Sequence, residues 1–419
     1  MAKRKKSRAN RKGCKRRQTE NSSAGTSATG AVGNEIDDDN RPVQANTDEE
    51  LADEVDPWTA TSKADTGFDY NELIMRLNCE KIDSRLIQKM EALIGRPVHH
   101  LISRKIAVSH RDMGRIMEKF KASRENRNDS FYLYTGRGPS SKTMHLGHAI
   151  PFILTKWFQD TFNIPLVIQI TEDEKFLWKD IQIDDATTMA HENIKDIIAF
   201  GFDPKKTFIF TDIEYMRPEF YKNICRIEKL CNVKDIKDRF GFEDDDCIGK
   251  LTFPAIQAAP SFSSSFPEFF KGKKDIPCLI PCALDQDSIF RMARETAPKL
   301  GFAKPAVLHT KFLASLKGQH WKMSASHPEG AIFLTDDKGV IEGKIKNCDR
   351  EILFQYLSYF MEDNRLFERK QEEYSSGSLT TADLKKEVLA VLTKFAKEFK
   401  RRRNNISEER LQKFMSPKK

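Results

Sequence analysis

Two histidines three positions apart follow a glycine-rich turn in the first half of the chain. The segment TGRGPSSKTMHLGH spans residues 135–148 and places His145 and His148 on one face of a predicted helix, with Gly147 between them. Where a strand turns into a helix, backbone N–H groups and the helix dipole attract phosphate. A pair of capping or metal-binding histidines is the alternative, but no third metal ligand stands at a suitable spacing. The pattern therefore favours a phosphate site.

A second polar segment, WKMSASHPEG at residues 321–330, follows the last predicted strand. Lys322 offers a point charge that can follow a migrating pyrophosphate, and Ser324 and Ser326 can add hydrogen bonds. Taken alone, such a segment is most often a polar surface loop. Its combination with the H-x-G-H turn favours a mobile loop that clamps phosphates during group transfer.

Five short apolar runs supply the elements that must position these residues. They alternate with stretches of helical periodicity, such as 146–160 and 186–200. Continuous apolar strands separated by helices predict an α/β fold, in which a Rossmann-like, doubly wound parallel sheet is covered on both faces. The carboxyl ends of its strands would then carry the binding residues. The predicted strands cover residues 131–136, 165–171, 207–212, 278–284 and 306–312.

Helical patterns flank this α/β region on both sides. Apolar residues recur at helical spacing between residues 71 and 94, and Gly95 would end that helix. Residues 121–130 have the composition of an exposed linker. Beyond residue 347 the strand patterns stop, and a C-terminal α-helical domain follows with helices at 349–363, 382–403 and 407–415. We therefore divide the chain into a disordered charged tail at 1–55, an N-terminal extension at 56–130, a catalytic domain at 131–346 and a helical domain at 347–419.

The net charge of +8 is unevenly distributed along the chain. Residues 1–17 hold 10 basic and no acidic side chains, whereas residues 18–56 hold 11 acidic and 1 basic side chain. A solvated tail whose two halves neutralise each other is favoured over a nucleic-acid contact or a nuclear address. Residues 382–419 hold 12 basic and 5 acidic side chains. This surplus indicates a polyanionic partner, with a solvated amphipathic helix as the alternative.

Composition excludes several other classes of protein. No window approaches about 18 consecutive apolar residues, so we expect no membrane span. Neither a secretory nor a mitochondrial leader is recognisable, and we expect a cytoplasmic protein. None of the eight cysteines forms a C-x-x-C pair, which favours reduced thiols over disulfides or a zinc site. Cys278 and Cys282 lie in the apolar run IPCLIPCAL and are predicted to be buried strand residues.

The motif pair resembles the HIGH and KMSKS signatures of the class I aminoacyl-tRNA synthetases, present here as HLGH and KMSAS. Longer segments are similar to the eukaryotic-type tryptophanyl-tRNA synthetases, from about Val55 to the C terminus. The related tyrosyl-tRNA synthetases match these segments less well. The segments are FYLYTGRGPSS, HAIPFILTKWFQD, PLVIQITEDEKFLWKD, GFEDDDCIGK, FPAIQAAPSFS and CLIPCALDQD.

The resemblance implies that ATP, with Mg²⁺, activates L-tryptophan to an adenylate, which then esterifies tRNA(Trp). The implied catalytic residues are His145, His148, Lys322 and Ser324. The implied ATP-binding residues are Arg137, Gly138, His145, Gly147, His148, Lys175, Asp285, Gln286, Lys322, Met323, Ser324 and Ser326. The implied tryptophan-binding residues are Tyr134, Gln169, Glu174 and Gln257, and the implied tRNA-binding residues are Lys400, Arg401, Arg402 and Arg403.

The physical chemistry of tryptophan agrees with this pocket. An indole is a large apolar ring with one N–H donor, so acceptors at Tyr134 and Gln169 would reject phenylalanine. Ordinary strand residues that satisfy backbone groups are the alternative for both positions. The resemblance also implies a homodimer without a structural metal, and a segment at Asp56-Pro57-Trp58 that folds over the ATP site. Ala325 stands where the family signature usually has a second lysine.

The chain departs from the family near residues 341–348, where on the order of twenty residues of a typical connection are absent. This junction joins the catalytic and C-terminal regions, so its shortening bears more on tRNA charging than on adenylate formation. The leading hypothesis is an active tryptophan–tRNA ligase. The alternative is a catalytically weakened paralogue or splice form that acts as a tRNA-binding or signalling protein. A nucleotidyltransferase outside the synthetases is a third possibility.

Overall fold

The computed structural model describes residues 53–58, 60–64, 66–123 and 129–417, and all of these belong to one compact unit. Most of the predicted charged tail lies outside the described residues. Its predicted end at residue 55 is wrong, because Glu54–Val55 forms a strand. Of the predicted linker at 121–130, residues 124–128 lie outside the described residues and Ser130 is buried.

The helices and strands are numbered here in chain order. The strands are β1 (Glu54–Val55), β2 (Ala60–Thr61), β3 (Glu80–Lys81), β4 (Ala107–Arg111), β5 (Tyr132–Arg137), β6 (Leu166–Ile170), β7 (Thr207–Thr211), β8 (Cys278–Ala283), β9 (Ala306–Thr310), β10 (Ala314–Ser315) and β11 (Gly318–Lys322). The α-helices are α1 (Tyr70–Arg76), α2 (Ser84–Ile94), α3 (His100–Ser103), α4 (Met113–Ala122), α5 (Leu146–Phe162), α6 (Glu172–Trp178), α7 (Ile183–Ala199), α8 (Pro218–Glu228), α9 (Val233–Phe240), α10 (Ile248–Ala258), α11 (Asp287–Thr296), α12 (Lys338–Ile345), α13 (Arg350–Phe360), α14 (Asn364–Ser375), α15 (Thr381–Asn404) and α16 (Glu408–Met415).

A seven-stranded sheet with the order β3-β4-β9-β8-β5-β6-β7 forms the centre of the molecule. The five predicted strands are confirmed as β5 to β9, and each pairs in parallel with its neighbours among the five. β5 lies between β6 and β8, so the order in which successive strands are added to the sheet reverses beside β5. Open α/β sheets bind ligands at such a reversal, at the carboxyl ends of the strands. The sheet is not wholly parallel as predicted, because β4 pairs antiparallel with β9 and β3 with β4 at one edge.

A second, smaller antiparallel sheet has the order β1-β2-β11-β10. Lys322 is the last residue of β11, so the KMSAS segment continues from a strand rather than from a free loop after β9. Thr61 in β2 pairs with Trp321 in β11. The N-terminal segment is therefore hydrogen-bonded to the strand that presents Lys322.

Both faces of the central sheet are covered, as predicted. Alternate residues of β5 point to opposite faces, so Leu133 joins one apolar cluster while Tyr132 and Tyr134 join the other. The first cluster includes α5, α7 and the C-terminal helices, and the second is rich in phenylalanine from the segment between β7 and β8. Cys278 and Cys282 are buried in β8, and the cysteines of the described chain are free thiols.

The helix predictions need two corrections. The predicted helix at 71–94 is two helices, α1 and α2, because β3 interrupts it; Gly95 ends α2 in the left-handed conformation with φ of 71°. The predicted helix at 349–363 ends at Phe360, and α14 was not predicted. Within the described residues, no helix combines the length and apolar character needed to cross a membrane.

The C-terminal helices pack directly on the α/β region. The hydroxyl of Tyr356 in α13 donates to the carbonyl of Ala314 at 2.8 Å, and that of Tyr359 donates to the carbonyl of Phe312 at 3.0 Å. Phe399 of α15 is fully buried, and its ring centroid lies 5.3 Å from that of Phe200 at the end of α7. The stability of α15 and of the α/β region should therefore be linked.

Substitution Phe399→Ala tests this packing. It should reduce the free energy of unfolding by about 3–5 kcal/mol, because it removes a buried ring and leaves a cavity against α7. Urea unfolding followed by circular dichroism measures the change. Lys397→Ala on an exposed turn of the same helix should shift it by no more than about 0.5 kcal/mol. Equal stabilities for the two variants would contradict the packing described.

Candidate active site

A cavity of about 500 Å³ opens at the carboxyl ends of β5, β6 and β8. Every residue predicted to bind ATP or tryptophan lines it, including both histidines of HLGH and the lysine of KMSAS. The fold therefore brings together residues as distant in sequence as Tyr134 and Ser326. The four predicted tRNA-binding residues lie elsewhere, on α15.

The HLGH turn joins β5 to α5 and begins at His145. The rings of His145 and His148 are stacked with their centroids 3.5 Å apart. A Cβ atom on Gly147 would lie 3.1 Å from the His145 ring and 3.5 Å from Cβ of Met323, so a glycine allows the HLGH and KMSAS segments to meet here. Burial, followed by the charge of Arg137, lowers the pKa of both histidines well below the usual range. They are therefore neutral at pH 7 and act as hydrogen-bonding groups rather than cations.

Two polar residues of α7, Asn193 and Asp196, support this turn from behind. Both are fully buried. Asn193 Oδ1 accepts from Arg137 Nε at 3.2 Å, and Asn193 Nδ2 donates to the carbonyl of Ser141 at 2.7 Å. Asp196 Oδ2 accepts from the backbone N–H of Met144 at 2.8 Å. Sequence reasoning missed this pair, although two polar residues three apart among apolar neighbours were a signal that could have revealed it.

Gly138, the residue after β5, lies beside the paired side chains of Glu174 and Lys175. A Cβ atom on Gly138 would lie 2.2 Å from Glu174 Oε2 and 2.4 Å from Lys175 Cε, so a larger residue would displace both. Lys175 Nζ donates to Glu174 Oε1 at 2.6 Å. Nearby, burial lowers the pKa of Arg137 to about 10, which leaves its guanidinium charged at pH 7. Two cations therefore face the space beside the HLGH turn.

A buried hydrogen-bond chain defines the deep end of the cavity. Gln169 Nε2 donates to Asp212 Oδ1 at 2.7 Å, which turns its Oε1 atom toward the Tyr134 hydroxyl at 2.5 Å. The same hydroxyl also lies 2.8 Å from the carbonyl of Gln257. Since one hydroxyl hydrogen serves two acceptors, lone pairs of Tyr134 and Gln169 remain for an incoming N–H donor.

A group of buried carboxyls lies behind Gln169. Burial, followed by the charges of Asp173 and Glu172, raises the pKa of Asp212 well above its usual range. Burial raises the pKa of Asp173 to about 6 and that of Glu172 to about 7. Asp212 and Asp173 contact each other, so a proton shared between them neutralises part of the group. Sequence reasoning did not identify Asp212, which holds the Gln169 amide in one orientation.

Lys322 projects from the end of β11 into the cavity. Its Nζ atom lies 2.8 Å from Asp285 Oδ2 and 5.6 Å from the centre of the Phe312 ring. The other oxygen of Asp285 is buried, and none of the described residues donates a hydrogen bond to it. Because the Lys322 side chain is flexible and its ammonium group pairs with one oxygen of Asp285, this group can move from Asp285 to a phosphate that binds in the cavity.

The N-terminal segment covers one side of the cavity, as the resemblance implied. Gln286 Nε2 donates to the carbonyl of Pro57 at 3.1 Å, and Gln257 Nε2 donates to Gln286 Oε1 at 2.9 Å. The Trp58 and Trp178 rings are stacked with centroids 4.6 Å apart. These contacts connect the covering segment to the floor of the cavity.

A separate cluster contains the potential metal ligands Cys79, Asp287 and His309, whose ligand atoms all lie within 4.8 Å of one another. Arg111 already donates to both oxygens of Asp287, each at 2.7 Å. Burial alone would raise the pKa of Asp287, but the hydrogen bonds from Arg111 and His309 lower it below its usual range. The cluster is therefore a charge network that anchors the start of α11, next to Asp285 and Gln286.

The four residues predicted to bind tRNA lie near the C-terminal end of α15. Lys400 pairs with Asp337, Arg402 Nε donates to the carbonyl of Ala199 at 2.6 Å, and Arg403 pairs with two carboxylates of α7. Arg401 is exposed. Three of the four cations thus connect parts of this chain, because α15 runs along the α/β region rather than standing apart from it.

Sequence comparison with known proteins identifies the family to which this chain is similar. Residues 125–411 match the family of class I tRNA synthetases (W and Y). The chain is 48% identical over 386 residues to the cytoplasmic tryptophan–tRNA ligase of Homo sapiens, covering 87% of this chain and 81% of that protein. It is 42% identical over 381 residues to the cytoplasmic tryptophan–tRNA ligase of Arabidopsis thaliana, covering 86% and 94%.

A solved structure gives the same result in three dimensions. The tryptophanyl-tRNA synthetase of Encephalitozoon cuniculi, bound to tryptophan, aligns with a TM-score of 0.77 and 39% identity over 83% of this chain and 100% of that one. Matching folds, matching sequence and a cavity that collects the predicted residues lead to one conclusion. The chain belongs to the class I tryptophanyl-tRNA synthetases of the eukaryotic cytoplasmic type.

Proposed function

We propose that the chain is a tryptophan–tRNA ligase that activates L-tryptophan with ATP and transfers it to tRNA(Trp). The observation that carries this proposal is the single cavity where the Tyr134 and Gln169 acceptors lie together with the HLGH turn and Lys322. The two relatives compared above are tryptophan–tRNA ligases. Their names place them in the cytoplasm, and we propose the same compartment for this chain.

The first step is attack of the tryptophan carboxylate on the α-phosphate of ATP, with departure of pyrophosphate. Such a step needs orientation and charge stabilisation more than covalent catalysis. We assign the phosphates to the HLGH turn and to Arg137, with the neutral histidines as hydrogen-bonding groups. Lys322 leaves Asp285 and stabilises charge on the departing pyrophosphate, and the Ser324 and Ser326 hydroxyls add hydrogen bonds from the same segment.

Mg²⁺ enters this proposal as part of the ATP complex. The two carboxylates that line the cavity beside these cations are already paired, Glu174 with Lys175 and Asp285 with Lys322. A resident Mg²⁺ ion needs several oxygen ligands, whereas the charges of both carboxylates are already neutralised by Lys175 and Lys322. The cavity residues therefore fit a metal that arrives on the ATP phosphates, where it neutralises charge during displacement.

Selection of tryptophan follows from the deep end of the cavity. The indole N–H would donate to Tyr134 or Gln169, whose orientation is fixed by Asp212. Phenylalanine would leave these buried acceptors without a donor, and that costs binding energy. Glu174 and Gln257 lie on the cavity wall and are proposed to bind the ammonium and carboxylate groups.

For tRNA, the proposed contact surface remains on α15. Arg401 remains a proposed phosphate contact because it is exposed, whereas its three neighbours serve intramolecular contacts. The shortened junction predicted near residues 341–348 covers the end of α12 and most of the link at 346–349 that precedes α13. A weakened, non-charging protein remains the second candidate because of that short link, although the assembled cavity favours an active enzyme.

A homodimer is also proposed. Tyr221, Val233 and Ile248 are exposed apolar residues on α8, α9 and α10, with 54%, 64% and 80% of their surfaces accessible. α10 packs on both α8 and α9, and we propose that these exposed apolar residues contact a second copy. Sedimentation of the full chain measures the assembly; a monomer at micromolar concentration would exclude it.

The proposed activity is tested with the purified full chain. Radiolabelled pyrophosphate should exchange into ATP when tryptophan is present and not when tyrosine replaces it, and tRNA(Trp) should be charged. Exchange with tyrosine alone would overturn the specificity. Exchange without charging would show that the short junction uncouples the two steps and would favour the second candidate.

Tyr134→Phe tests indole recognition. Loss of the hydroxyl should lower kcat/KM for tryptophan by about 10- to 100-fold, because an acceptor in a buried network is lost. Tyr132→Phe is the matched control: its hydroxyl donates to the carbonyl of Pro260 at 2.7 Å, outside the cavity. Unchanged kcat/KM in Tyr134→Phe would refute the role of this hydroxyl.

Lys322→Ala tests stabilisation of the leaving group. The kcat of exchange should fall by about 100-fold with little change in KM for tryptophan, because the charge acts mainly in the transition state. Lys317→Ala on the adjoining turn between β10 and β11 removes a cation that pairs with Glu329 instead, and should leave kcat unaltered. A wild-type kcat in Lys322→Ala would remove Lys322 from the mechanism.

A further inference from the structure

Two cations of α15, Lys400 and Arg403, pair with carboxylates of the α/β region rather than with the HLGH turn itself. Arg403 Nε donates to Asp196 Oδ1 at 2.5 Å, and its Nη2 atom donates to Glu192 Oε2 at 2.6 Å. Asp196 is fully buried, whereas Glu192 is partly accessible. A buried carboxylate requires a partner of this kind, because an unpaired charge in the interior is very costly.

The second oxygen of Asp196 reaches the turn itself. It accepts from the backbone N–H of Met144, the residue directly before His145, at 2.8 Å. One carboxylate therefore links the guanidinium of a C-terminal helix to the backbone that begins the HLGH segment. Charge-assisted hydrogen bonds of this length are stronger than neutral ones and hold both partners in a fixed geometry.

Lys400 forms a second ion pair between α15 and the α/β region. It pairs with Asp337, the residue that precedes α12. The segment at residues 332–334 lies just before it. The carbonyl of Ile332 accepts from Leu146 N–H at 2.9 Å, and Leu334 N–H donates to the carbonyl of Met144 at 2.9 Å. The start of the HLGH segment is therefore held by the Asp196 carboxylate and by two backbone hydrogen bonds to residues 332–334. From α15, Arg403 pairs with that carboxylate and Lys400 pairs with Asp337.

We propose that Arg403 is a positioning residue for ATP-dependent activation, acting through Asp196 on Met144 and the HLGH turn. This inference rests on the proposed function. It assigns Arg403 to the first chemical step rather than to contact with tRNA. Because misplacement of a binding group by about 1 Å can cost on the order of 100-fold in rate, loosening Met144 should impair catalysis although Arg403 does not touch the cavity.

The test compares Arg403→Met with Lys397→Met, which removes an exposed cation from the same helix. Pyrophosphate exchange without tRNA should lose at least tenfold in kcat in Arg403→Met, while KM for tryptophan stays within twofold. Hydrogen exchange of the peptide covering residues 143–149 should be faster in the same variant. Lys397→Met should match the wild type in both measurements.

A double-mutant cycle tests the route through Asp196. Asp196→Asn keeps an acceptor for Met144 but weakens the link to Arg403, so adding Arg403→Met should cost less than twofold more. This pair leaves no buried unpaired charge and carries the test if Arg403→Met alone does not fold. A further tenfold loss in the double variant would overturn the proposal.

Two other results would also overturn it. One is a folded Arg403→Met protein with wild-type exchange and wild-type protection of residues 143–149. The other is unchanged exchange together with weaker tRNA binding and a smaller salt dependence, which would return Arg403 to phosphate contact. Failure of the proposed function would look different from failure of this inference. In that case the wild type itself would show no tryptophan-dependent pyrophosphate exchange, while hydrogen exchange would still compare the turn in the two variants.

Discussion

The hydrogen bond from the Met144 N–H group to the buried Asp196 carboxylate fixes the element on which the site depends. A phosphate-binding turn, the role proposed for HLGH, needs its backbone donors to stay in place. This turn follows β5, beside which the strand order of the sheet reverses. Arg403 makes the buried charge on Asp196 tolerable. Polar contacts directly behind the HLGH turn therefore join the α/β region to the C-terminal helices.

The deep end of the cavity uses the same principle with a different pair. Gln169 can present either its oxygen or its nitrogen to a ligand, and Asp212 decides between them by accepting from the nitrogen. Burial and neighbouring carboxyls raise the pKa of Asp212 and favour its protonated form. Asp212, outside the cavity, thus orients Gln169 inside it, and Asp196 holds Met144, the residue before the HLGH segment. Such support is what a preorganised site requires.

Much of this architecture could be predicted from sequence. Continuous apolar runs such as that of β6 have few other interpretations, and the HLGH and KMSAS segments identified the chemistry. β4 was missed because Ser109, His110 and Arg111 interrupt its apolar pattern. β10 has only two residues, and β11 (GQHWK) has no run of apolar residues. The sequence carried a signal for a buried polar pair at Asn193 and Asp196. The contacts of Asp196 with Arg403 and of Asp212 with Gln169 could not be predicted, because they join residues far apart in sequence. A basic cluster also has the same composition whether it binds phosphate or buried carboxylates.

The account makes one central claim, that a single cavity holds tryptophan at its deep end and the ATP phosphates beside the HLGH turn. A crystal structure of the chain with a non-hydrolysable tryptophanyl-adenylate analogue tests it most directly. The account predicts the indole nitrogen within about 3.2 Å of the Tyr134 hydroxyl or of Gln169 Oε1. It also predicts the adenylate phosphate beside the HLGH turn. An indole bound away from both acceptors, or a phosphate remote from His145 and His148, would contradict it.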